Sequence, residues 1–121
     1  MKRSEVESVV APLVGRVAEV CESAGAPLVR VVCDGAVNRS QAGQGCVGRV
    51  YLILGDDKPG WRSKDGKGRR RALKAAVQAV LADSGVKLAV HVQAGYSCLT
   101  VEGGLAVRRD DTGRVVGAYS L

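Results

Sequence analysis

Residues 69–93 read RRRALKAAVQAVLADSGVKLAVHVQ, and the change of period inside this stretch decides the fold. In its first part the apolar residues Leu73, Ala76, Val77, Val80 and Leu81 recur at three- and four-residue steps, the spacing that lays one stripe of a helix against a core. Ala, Leu, Lys, Gln and Arg, all strong helix formers, fill the remaining positions, and Gly85 supplies the stop. From Val86 the period drops to two, with Val86, Leu88, Val90 and Val92 on one side and Lys87, Ala89, His91 and Gln93 on the other. That is a strand with one face on a core and the other open to water or a partner.

Upstream, the β-branched run Leu28 to Asp34 predicts a strand, residues 35–45 (GAVNRSQAGQG) a loop, and Cys46 to Leu54 a second strand. In that second strand Val50, Leu52 and Leu54 form an aliphatic face and Arg49, Tyr51 and Ile53 a mixed one. Residues 55–68, GDDKPGWRSKDGKG, are too rich in Gly, Pro and Asp for regular structure and form the longest loop. The chain opens with an amphipathic helix over 4–24. Its core stripe is Val6, Val9, Val10, Leu13, Val17 and Val20, Ser4 and Glu7 stand at capping-box spacing, and Pro12 predicts a kink or a break. After Gly95 come SCLTVEGG, LAVRRDDTG and RVVGAYS, with DDTG as the turn of a closing hairpin. The fold expected is α+β: two helices packed on one face of a mainly antiparallel sheet of about five short strands, in a single domain over 1–121 with a basic loop at 55–68.

Composition agrees with one small globule: 121 residues, 46% hydrophobic and 25% charged. Phe is absent and aromatics are 3% of the chain, which argues against a protein organised around aromatic base-stacking platforms or a ligand cage. No apolar run approaches the length of about 18 residues that a membrane span needs, and Glu5 and Glu7 interrupt any signal-peptide pattern, so a cytoplasmic protein without membrane contact is expected. Cys21, Cys33, Cys46 and Cys98 contain no CxxC pair and are expected as reduced thiols. A metal site would have to be assembled from Cys33, Cys46, Cys98 and His91, and the reading is that no metal or other cofactor is bound.

Charge is the most informative feature. Of 18 Lys and Arg against 12 Asp and Glu, eight cations lie between residues 58 and 74 with one anion, Asp65, leaving ten against eleven elsewhere. A nearly neutral chain thus carries one concentrated basic segment, the arrangement that attracts a polyanion. The candidate nucleic-acid-binding residues are Lys58, Trp61, Arg62, Lys64, Lys67, Arg69, Arg70, Arg71 and Lys74, with Trp61 offering one stacking contact. Cations at a helix start oppose the helix dipole, and a bound phosphate would offset that cost by accepting bonds from the free amides and the guanidinium groups, which Gly66 and Gly68 would let approach. The competing explanation is that Asp65 caps the helix and the arginines point into solvent.

Catalytic machinery is not indicated. The single histidine, His91, has no third group to orient it, Asp56–Asp57 and Asp110–Asp111 read as turn residues, and DGKG at 65–68 lacks the frame of a phosphate loop. VRVVCDGAVNRSQAGQGCVGRVYLIL resembles the opening hairpin of ribonuclease H-like domains, with Asp34 in the place of a metal-binding acid. The resemblance implies several carboxylates around paired metal ions, yet the following helix opens RRRALK, and Gln93 and Ala94 stand where a further acid is expected. Over roughly residues 5 to 101 the element order, with VVAPLV in the first helix and a hairpin ending RVYLIL, is similar to the N-terminal domain of the ribosome maturation factor P family, without that family's second domain. The function expected is a non-enzymatic module contacting the phosphate backbone of RNA or DNA. The alternative is an assembly subunit docking an acidic protein surface through the basic loop and an open sheet face, and a degenerate ribonuclease H-like domain ranks third.

Overall fold

The computed structural model describes residues 1–35, 45–55, 61, 66–93 and 103–121. The opening helix is broken where proline requires it. Helix α1 (Arg3–Val10) leads through a tight 3-10 turn, Ala11–Leu13, into α2 (Val14–Ser23), because Pro12 has no amide to donate to the preceding turn. Two details differ from expectation. The cap lies earlier, with the Lys2 amide donating to the Glu5 carboxylate at 3.0 Å in place of a Ser4–Glu7 box. After the 3-10 turn the buried stripe of α2 is Val14, Val17, Ala18 and Cys21, while Leu13 and Val20 are only partly buried.

Strands β1 (Leu28–Asp34) and β2 (Gly48–Leu54) form an antiparallel pair with Val31 opposite Leu52 and Cys33 opposite Val50. A bulge between Leu28 and Arg30 places an extra residue at this point, which leaves Val29 half exposed while Leu28 and Val31 are both buried. Helix α3 (Lys67–Leu81) then carries the chain across the sheet to β3 (Leu88–Gln93), which pairs with β2 in parallel. A parallel neighbour needs such a helical crossover, since a short turn can only return the chain antiparallel. Leu73, Val77, Val80 and Leu81 are buried as their spacing predicts; Ala76 is exposed.

The chain closes with β4 (Leu105–Arg109) and β5 (Val115–Ser120). Their turn is held by the Asp110 carboxylate, which accepts from the Thr112 amide at 2.9 Å, the Thr112 hydroxyl at 2.6 Å and the Arg114 amide at 3.0 Å. The five strands make one mixed, mostly antiparallel sheet in the order β3-β2-β1-β4-β5, with both helical arms on one face. The architecture is therefore α+β, as the sequence predicts. Val6, Val10, Val14 and Val17 meet Val31, Val50, Leu52 and Val90 in a core built of aliphatic residues, with Trp61 as its one aromatic ring among the described residues. Gly48 lets α1 approach closely, because a side chain there would start 2.7 Å from Val6. Among the described residues no helix is long and apolar enough to cross a membrane.

Candidate nucleic-acid interface

Helix α3 begins at Lys67 with Gly66 as its N-cap. Glycine has no side chain to cap the first-turn amides, and no acid lies in that turn. Asp65, the cap expected from sequence, lies outside the described residues, as do Lys58, Arg62 and Lys64.

The remaining cations divide by helical phase. Lys67, Arg70, Arg71 and Lys74 follow one another at steps of three, one and three, which puts them on one side of α3. Together with Val90, His91, Val92 and Gln93 of the edge strand β3 they line a cleft of about 270 Å³. Among the described residues no carboxylate lines it. Arg69 points the other way, into a second groove of about 780 Å³ between α2 and α3, floored by Trp61 and Leu73 and walled by Val20, Ala72 and Ala76. The sequence spacing 67/70/71/74 already contained this division, but as a helical phase it is visible only once the helix is known to start at Lys67.

Trp61 departs from its expected role. Its side chain is 6% exposed and belongs to the core, and its carbonyl accepts a hydrogen bond from the Arg70 guanidinium. A buried indole presents no ring face to a base. The bond instead ties Trp61 itself to the basic face of the helix.

Holding four cations together costs free energy. The four pairs at i, i+3 and i, i+4 (67–70, 67–71, 70–74 and 71–74) each repel by about 0.2–0.5 kcal/mol, or about 1–2 kcal/mol together, before the unfavourable helix-dipole term is added. His91, on the opposite wall, feels the same field. Its pKa is lowered by burial first, then by Lys74 and by Arg49, so the imidazole stays neutral where an exposed one begins to charge.

On the sheet face turned away from the helices, Arg49 pairs with Asp34 at 2.5 Å. The acid suggested by the ribonuclease H-like resemblance is therefore engaged by a cation, and among the described residues no group of three or more metal-ligating side chains forms. Cys21, Cys33 and Cys46 are buried free thiols. The pKa of Cys21 is pushed up to about 12 by burial and then by Glu22. That of Cys33 is likewise pushed up to about 12, by burial and then by Glu7. Neither is a ready thiolate ligand or nucleophile. Cys98 lies outside the described residues.

Compared with models of protein families, with curated proteins and with solved structures, the chain matches none.

Proposed function

We propose that the protein is a non-enzymatic nucleic-acid-binding module that holds the phosphate backbone in the cleft between α3 and β3. The observation that carries this reading is the gathering of Lys67, Arg70, Arg71 and Lys74 along one cleft. A bound anion would relieve the mutual repulsion of these groups. A chain of phosphates is the anion that a row of four cations suits, because each step along the row offers a further contact and each contact releases a counterion. The reading needs no base-specific contact, and the amides at the start of α3, which the glycine N-cap does not cap, add donors of the same polarity.

The test is a triple replacement, Lys67→Ala, Arg71→Ala and Lys74→Ala, which spares the Arg70 bond to Trp61. Binding of an oligonucleotide should weaken tenfold or more, and the slope of log affinity against log salt should fall by about 2 if three contacts to a single strand are lost. Arg114→Ala, on the exposed β4–β5 turn, should leave both almost unchanged. Unaltered affinity in the triple variant would contradict the reading.

A second reading, an assembly subunit, is favoured by the apolar groove between α2 and α3. Ala76→Arg, which fills that groove, would then abolish a complex recovered from cells while oligonucleotide binding persists.

A further inference from the structure

The basic cleft ends on a pair of stacked rings. His91 lines the cleft, and its imidazole lies against the Tyr51 ring with centroids 5.0 Å apart and planes 20° from parallel. Parallel register sets the two residues side by side on β2 and β3, Tyr51 opposite His91. The guanidinium carbon of Arg49, held by Asp34, sits 5.9 Å from the Tyr51 centroid. Both rings are half-buried, so each keeps part of its surface in solvent. Among the described strands β3 lies at the edge of the sheet, so this row of side chains ends at the rim beside α3.

We propose that the Arg49, Tyr51 and His91 cluster stacks an unpaired base of a single-stranded nucleic acid whose phosphates occupy the adjoining cleft. The inference rests on the phosphate-binding reading of that cleft and adds the class of strand it takes. His91 belongs to both features: it lines the cleft, and its ring stands with Tyr51 and Arg49 on the sheet face turned away from the helices, so a strand whose phosphates lie beside Arg71 and Lys74 passes around the rim of β3 to bring a base to the ring pair. In a duplex that base is paired and stacked on its neighbours, and its ring face is closed to a side chain. In a single strand it is open, and every base has a π-face, so the contact tolerates any sequence. Arg49 strengthens such a stack through its cation. Burial, then Lys74 and Arg49, lower the His91 pKa, which favours the uncharged ring beside a base.

The test compares a short oligothymidylate with an abasic oligomer of equal length, which carries the same phosphates without bases, by fluorescence anisotropy on the intact protein at fixed salt. The base-bearing strand should bind about tenfold more tightly. Tyr51→Leu should bring it down to the abasic level, and Tyr51→Phe, which keeps the ring, should preserve the difference. Arg71→Ala should weaken both probes alike. Oligouridylate and its abasic counterpart repeat the comparison on ribose, and whichever sugar binds more tightly identifies RNA or DNA as the ligand. Equal binding of base-bearing and abasic strands by the wild-type protein overturns the inference and leaves the phosphate cleft standing, as does an equal loss of both in a folded Tyr51→Leu. Tighter binding of a duplex than of either single strand overturns it too. Binding of neither probe overturns the inference and the reading beneath it together. The wild-type and Tyr51→Phe measurements decide the matter even if Tyr51→Leu fails to fold.

Discussion

Replacing Trp61 with alanine separates the two roles that the indole has been given. As an exposed stacking contact it would contribute almost nothing to stability. As a core residue that is 6% exposed, packed in the same cluster as Leu73 and Val80, it contributes a great deal. Truncating a fully enclosed Trp costs about 3–5 kcal/mol through lost burial and the cavity left behind. Here part of the indole floors the groove between α2 and α3, so water can fill some of the space vacated, and the lower end, about 3 kcal/mol, is expected. A domain of this size has about 5–15 kcal/mol in total. Trp61→Ala should therefore still fold, with a Tm lower by about 12 °C, taking about 4 °C per kcal/mol. Urea unfolding followed by circular dichroism measures the free energy directly, and in the wild-type protein Trp61 emission should move to longer wavelength in the same transition. A loss below about 1 kcal/mol would refute the placement of this residue in the core.

Three further outcomes follow from local geometry. Gly104→Ala should destabilise by at least about 2 kcal/mol, because its φ of +94° is left-handed and a Cβ would sit 2.5 Å from the Val31 carbonyl, whereas Gly113→Ala, at φ +85° with open space around it, should cost only about 1 kcal/mol in chemical denaturation. Cys21 and Cys33, with pKa values near 12, should resist a thiol reagent at neutral pH in the folded protein and react once it is unfolded; modification at the rate of a free thiol would contradict their burial. The Asp110 pKa is lowered, first by the Thr112 hydroxyl and then by the Arg114 amide, so its turn adds stability above the ordinary carboxylate range and loses it as pH falls through the lowered value. A carboxyl NMR titration should show Thr112→Ala moving the inflection up, and an unmoved inflection would exclude that hydroxyl as the cause.

Most of the fold was legible because its signals are local. The period of three and four in α3, the alternation of Leu88 to Gln93, Pro12 in the opening helix and the DDTG turn each depend on neighbours in the chain. What escaped depends on contacts between distant segments. Val29 reads as one member of an alternating strand, and only pairing with β2 shows that a bulge turns it outward. Trp61 reads as a contact for a partner because cations surround it in sequence, although the one Trp in a chain without Phe is what a small aliphatic core draws in. The Tyr51–His91 pair was hidden for a related reason: each lies on the polar side of its own strand, and it is the parallel register of β2 and β3 that brings them together.

The central claim is that the cleft between α3 and β3 is where a nucleic acid is held, and its most direct test is a map of backbone amide shifts as a short oligonucleotide is added to the labelled protein. The account predicts that the largest changes fall on Lys67 to Lys74 and on Leu88 to Gln93, that they include His91, and that they fade together as salt rises. Changes confined to the β4–β5 hairpin or to the groove between α2 and α3, with the amides of the cleft unmoved, would contradict it.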